Sequence, residues 1–250
     1  TQGVSSAASD VYKRQIQDFA EQIIGMDPMK IEDVWETLFR KTFWGMGGGT
    51  VVSAAMSAID IALLDIKGKA LGVPIYELLG GKTNDNLRTY ASQVQFNWGS
   101  NITKQELVEP EEYADVTLRA MEEGYDSIKV DPIIVPDSSG KPWKIRGPLQ
   151  NHVIKSVYNR VAAMREAGGD DLDIIIEMHS NTDTVAAIQI AQALEPLRIF
   201  YYEEPVHPLN VENFVELKKK TSIPIASGER IYTRQGFRPF FEKRHLDVVQ

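Results

Sequence analysis

A chain of 250 residues with 43% hydrophobic and 25% charged content can bury a sizeable core, which excludes a disordered polymer or a fibre. A formal net charge of −8, with no Lys/Arg-rich run, argues against nucleic-acid or anionic-membrane partners, because both are recognised through clustered positive charge. Cysteine is absent, so disulfides and thiolate metal sites are ruled out; with no signal-peptide pattern after Thr1 and apolar runs (Ile174–Ile176, Val51–Ala58) short of a membrane span, the expectation is a cytoplasmic globular protein.

The run Ser5 to Gln15, SSAASDVYKRQ, has no apolar periodicity and joins abruptly to the helical pattern that begins at Ile16. It resembles adapter-derived sequence, so residues 1–15 are set apart as a non-native leader. From Ile16 to about Gly80 the signals are helical. Met29 to Phe39 is a short amphipathic stretch, and Val52, Met56, Ile59, Leu63 and Ile66 recur at three-and-four spacing. That second helix runs to Ala70, with Gly72 as C-cap and Pro74 just beyond. The pair Gly80-Gly81 marks a boundary, dividing a helical domain (16–81) from the remainder of the chain (82–250).

After Gly81, short β-branched runs alternate with amphipathic helices, the pattern of a parallel sheet with helical crossovers. Six strands are expected: Leu87 to Ser92, Ser127 to Asp131, Asp173 to His179, Ile199 to Glu203, Ile223 to Ser227 and Leu246 to Gln250. Helices are expected near Pro110 to Glu123, Leu149 to Glu166, Thr184 to Leu194, Val211 to Lys219 and Gln235 to Glu242. No glycine-rich dinucleotide fingerprint follows any strand, which disfavours a doubly wound sheet and favours a barrel. A (β/α) barrel has eight strands, so the expectation is an α/β, incomplete TIM-type barrel cut at both ends of the chain.

Three strands place a carboxylate at the C-terminal tip: Glu177 in IIIEMH, Glu203 in FYYEEP and Glu229 in IASGER, at equal intervals of 26 residues. Neighbouring strands lie ~5 Å apart, so the three carboxylates can converge on one cation. An all-oxygen set suits a hard ion, Mg²⁺ with Mn²⁺ as a substitute. The bland alternative is that these acids pair with basic groups at the rim of the barrel.

The motifs EMH, YEEP and SGER on successive strands resemble the ligand motifs of the mandelate racemase branch of the enolase superfamily, nearest to galactonate-type sugar-acid dehydratases. The segment SAIDIALLDIKGK from Ser57 to Lys69, followed by Gly72-Val73-Pro74 and Leu78-Leu79-Gly80-Gly81, resembles that family's capping-domain helix and its junction with the barrel. The resemblance implies a Mg²⁺-dependent lyase that removes a proton α to the carboxylate of a small sugar acid, passes through an enediolate and expels hydroxide. Glu177, Glu203 and Glu229 would be the metal ligands and His179 the general acid. Glu177 departs from the Asp more usual at the first ligand. Asp131 in Lys129-Val130-Asp131 departs from the Lys-x-Lys of racemase-type members.

The general base of galactonate-type members comes from strands that would follow Gln250, so the segment is expected to lack it. Lys129 is a candidate for holding the substrate carboxylate; the alternative is that Lys129 and Asp131 only pair with each other. Trp44, in the glycine-rich stretch Trp44 to Gly49, resembles the capping loop that closes over substrate, or is part of a connector. Asn97, past the first strand, together with Asp131 and Arg230, is placed among the substrate contacts, whereas His152 and His245 are read as surface or packing residues. Two other readings stand beside dehydration: a racemase or cycloisomerase of the same superfamily, and a non-catalytic barrel that holds a sugar acid or metal. The identity of the sugar acid and homo-oligomerisation stay open, and exposed sheet edges predict poor solubility.

Overall fold

The computed structural model describes residues 2–43, 45–99 and 105–250, with residues 2–10 described by backbone alone. Residues 1–87 and 88–250 form two units.

The first unit is helical. Helix α1 (Gln2–Ile23) takes in both the segment up to Gln15 and the apolar pattern that starts at Ile16. Helix α2 (Ile31–Glu36) continues into a π turn at Thr37–Lys41, and α3 (Gly49–Leu71) is followed by the single turn α4 (Ile75–Leu78). Phe19, Val34, Leu38, Val52, Ala55 and Met56 make the core, with Ile59 and Leu63 packed at its margin. Ile66, expected on the same stripe, lies 45% exposed. Gly72 ends α3 in the left-handed region (φ 70°), and its N–H closes on Lys69 O while Val73 N–H closes on Gly68 O. By length and mean hydropathy (1.6) α3 is long and apolar enough to cross a membrane, contrary to the expectation that no segment reaches that limit. Each apolar run falls short of a span when taken singly, but the serines between them do not offset the alanines and isoleucines of the whole helix.

The second unit alternates helices and strands in the order α5 (Pro110–Glu122), β1 (Ser127–Val130), α6 (Asn151–Gly168), β2 (Asp173–Glu177), α7 (Thr184–Leu194), β3 (Tyr201–Glu203), α8 (Val211–Lys218), β4 (Ile225–Ser227), α9 (Thr233–Lys243) and β5 (Val248–Val249). The strands form one parallel sheet in sequential order, which is an arc of a TIM-type (β/α) barrel. The expected first strand shrinks to a single parallel bridge from Ala91 to Ile128. Gln93 turns the chain there with φ 57°, and a 3₁₀ turn at Val94–Phe96 follows.

Alternate residues of each strand face opposite ways. Ile128, Val130, Ile174, Ile176, Tyr202 and Ile225 join the large core beneath the helices. On the other face Ile175, Tyr201 and Ala226 cluster with Tyr90 and Val248. Glu177 and Glu203 stand two residues beyond Ile175 and Tyr201, so they emerge on this second face, directly paired in register.

Candidate metal centre

Strands β1, β2 and β5 stop one or two residues short of their expected C-terminal ends, whereas β3 and β4 end as expected at Glu203 and Ser227 and begin two residues later than expected. His179 (φ 47°) and Ser180 (φ 57°) turn the chain after β2, Glu204 (φ 43°) after β3, and Gly228 (φ 158°) after β4. Non-glycine residues held at positive φ cost of order 1–3 kcal/mol each and concentrate at functional sites. At Gly228 a Cβ would lie 2.1 Å from Gln250 O, so no other residue fits there without moving the chain.

These turns gather the expected acidic residues. Glu177, Glu203 and Glu229 each offer an oxygen within 4.8 Å of the others. Glu177 and Glu203 are buried at 2% and 1% exposure, while Glu229 is exposed. Lys129 Nζ sits between the two buried acids, 3.0 Å from Glu177 Oε2 and 3.0 Å from Glu203 Oε1. Burial pulls the Lys129 ammonium down, but its hydrogen bonds to Glu203 and Glu177 outweigh this and hold it above its ordinary range. The ring of Tyr90 lies 5.3 Å from the same nitrogen.

The arrangement passes a chemical test for a hard cation. Glu203 Oε2 is buried and accepts no hydrogen bond, which is costly for a carboxylate oxygen unless a cation or donor meets it. Lys129 offsets one of the three negative charges, and the donors are all oxygens, as Mg²⁺ and Mn²⁺ prefer.

His179 Nδ1 lies 2.8 Å from Asp131 Oδ2, and its Nε2 lies 3.4 Å from Glu177 Oε1. The hydrogen bond to Asp131 holds the imidazole above its ordinary value against the opposing effect of burial. Lys129 and Asp131 therefore do not pair with each other. Lys129 lies in β1 and meets the acids at the ends of β2 and β3, whereas Asp131, just past the end of β1, meets His179 in the turn after β2. Asp131, 1% exposed, also accepts from Ile133 N and Ile134 N through Oδ1, so it caps its own turn and orients His179.

Arg230 is held by two acids, Glu229 at 2.6 Å and Glu204 closer still. Glu204 is fully buried and accepts from Ser180 Oγ at 3.0 Å. Sequence reasoning passes over Glu204 and Ser180. The doubled glutamate of YEEP is the available signal, since Glu204 follows the strand-end Glu203 directly and the backbone turns there (φ 43°). Asn97 uses its side-chain oxygen internally, accepting from Arg119 Nη2 at 2.5 Å and Trp98 N at 2.9 Å. Trp44 lies outside the described residues. His152 is exposed and His245 half-buried.

A parallel βα sheet with converging groups at the C-terminal ends of its strands defines the class as a (β/α)-barrel protein whose site lies on that face. The chain belongs to the enolase superfamily: the family described as "Enolase C-terminal domain-like" matches residues 112–250, and the "Mandelate racemase / muconate lactonizing enzyme, N-terminal domain" matches residues 2–80. A D-galactonate dehydratase of Variovorax paradoxus (strain S110) is 34% identical over 235 residues, covering 94% of this chain and 56% of that protein. A D-gluconate dehydratase of Thermoproteus tenax is 32% identical over 239 residues, covering 94% of this chain and 44% of that protein. Among solved structures, a member of the enolase superfamily from Salmonella Typhimurium superposes with a TM-score of 0.93 at 51% identity, covering 96% of this chain and 62% of that one. The chain thus spans about half the length of the curated relatives it matches.

Proposed function

We propose that this chain carries the metal-binding and acid-bearing part of a sugar-acid dehydratase, with Mg²⁺ held by Glu177, Glu203 and Glu229 and His179 as the general acid. The observation that carries the reading is the meeting of three strand-tip carboxylates beside a histidine already hydrogen-bonded to a buried aspartate. When bound, the ion would offset the negative charge that grows on the substrate carboxylate as its α proton leaves. Lys129, kept as an ammonium by Glu177 and Glu203, adds a second positive charge toward the same carboxylate, and its protonation makes it a poor base. Asp131 keeps the Nδ1 proton of His179 in place, so Nε2 is the nitrogen that delivers a proton to the departing hydroxyl, which leaves as water. Arg230 restrains Glu229, the most exposed of the three acids, and presents a cation beside it. The relatives named for galactonate and gluconate dehydration support an aldonate-type sugar acid as substrate.

The test is calorimetric titration of Mg²⁺ into the parent and a Glu203→Gln variant. Saturable binding in the parent that falls at least about tenfold in the variant is expected, because a ligand carboxylate has become a neutral amide. Equal binding in the two proteins would remove Glu203 from the site and the mechanism with it.

A further inference from the structure

Arg160 stands in the middle of α6 at 1% exposure, and among the described residues no carboxylate comes within salt-bridge distance of it. A buried guanidinium without an acid partner is unusual, since the charge must be satisfied by dipoles instead. Here the fork is spent on four backbone carbonyls. Nε donates to Val108 O at 3.0 Å, Nη1 to Pro132 O at 2.9 Å and Val135 O at 2.6 Å, and Nη2 to Pro136 O at 3.0 Å. The rings of Tyr113 and Trp143 lie 5.3 Å and 5.1 Å from the guanidinium carbon.

Three of the four carbonyls belong to one turn, the segment that leaves β1, and that turn begins with Asp131. Two of the carbonyls come from prolines, whose missing N–H leaves the turn fewer bonds of its own. Asp131 is held from the opposite side by Gln95, a fully buried residue whose Oε1 accepts from Asp131 N at 3.1 Å. Leu107 N donates to Gln95 O at 2.9 Å, and Val108, the next residue, supplies the fourth carbonyl to Arg160. The circuit is closed: Arg160, the 132–136 turn, Asp131, Gln95, Leu107 and Val108 back to Arg160.

We propose that Arg160 is a positioning residue for His179, acting through the 132–136 turn and Asp131 to hold the imidazole in one orientation and one tautomer. The inference rests on the reading of His179 as the acid, but the linkage it asserts is physical and is measured without turnover. A lysine at this place keeps the charge yet has no planar fork to reach four carbonyls at once. The turn would then loosen while the metal-ligand strands, β2 and β3, stay as they are.

In ¹⁵N-labelled protein, the His179 Nδ1–H bonded to a carboxylate gives a downfield proton signal, and the Ile133 and Ile134 amides report on the Asp131 cap through hydrogen exchange. In Arg160→Lys the signal is expected to broaden to loss, and the two amides to exchange about tenfold faster. Mg²⁺ affinity, read by calorimetry, should stay within about twofold of the parent, the strand-tip carboxylates being outside the turn. A retained His179 signal with unchanged exchange would reduce Arg160 to a staple of the core. Should Arg160→Lys fail to fold, Arg160→Gln keeps a planar amide donor in place but cannot reach all four carbonyls at once. Broadening of the same signal in that variant supports the proposal, and an unchanged spectrum overturns it. Should Glu203→Gln still bind Mg²⁺, the dehydratase reading fails while the coupling of Arg160 to His179 is decided separately.

Discussion

Glu177 and Glu203 stand abreast at the tips of two hydrogen-bonded strands, each almost wholly buried, with one lysine between them. Removing a partner from such a buried group leaves charge uncompensated and costs about 3–5 kcal/mol. Lys129→Met is therefore expected to lower the melting temperature substantially, and added Mg²⁺ to raise it more in the variant than in the parent, because the ion takes over the lysine's role. Equal gains from Mg²⁺ in thermal melts of the two proteins would show that Lys129 and the ion do not share carboxylates. The three acids are legible in the sequence because one βα unit separates each from the next, so equal spacing along the chain becomes adjacency in the sheet. The partners of Lys129 are not, since same-face neighbours on one strand look like a pair until the next strand is placed beside them. Glu204 escapes notice because its side chain is placed by the turn after β3, where its φ is 43°, and nothing in the composition marks that turn.

Among the elements, the helices follow local signals closely. The span Thr184–Leu194 is as the apolar pattern predicts, and Asp183 caps it by accepting from Ala186 N at 3.0 Å. Gly72 at the end of α3 combines φ 70° with open space around the site of a Cβ. Gly72→Ala then carries only the left-handed backbone penalty, about 1–2 kcal/mol, measurable as a shift of the urea midpoint of the helical unit with unchanged slope. A destabilisation well below this range would mean that the cap relaxes. Strands are harder to bound. Each expected strand runs longer than the structure allows: β3, β4 and β5 begin two residues late because the apolar run starts before pairing does, and β2 ends early because His179, held at φ 47°, has no marking composition.

For the barrel unit as a whole, the buried tyrosines set a limit at alkaline pH. Burial pushes Tyr113 and Tyr201 up to about 12, and it raises Tyr202 as well. A tyrosine in the unfolded chain ionises near pH 10. Because the folded values are raised, the folded state binds more protons between these limits. The stabilising contribution is thus complete below pH 10 and is lost as pH rises toward about 12. Denaturant midpoints should fall steeply over that interval, together with the appearance of tyrosinate absorbance. Tyrosinate formation without loss of stability would mean that these hydroxyls reach solvent in the folded state.

By itself the sequence determined the alternation of strand and helix, the cap at Gly72 and the regular spacing of the three acidic tips, all of which are read from pattern and spacing along the chain. The tertiary structure alone decided that His179 answers to Asp131, that Lys129 lies between Glu177 and Glu203, that Arg230 bridges Glu204 and Glu229, and that Arg160 ties the turn after β1. Each of these joins residues from different strands or from a helix and a loop, and its geometry comes from sheet register and helix packing, which no local pattern encodes.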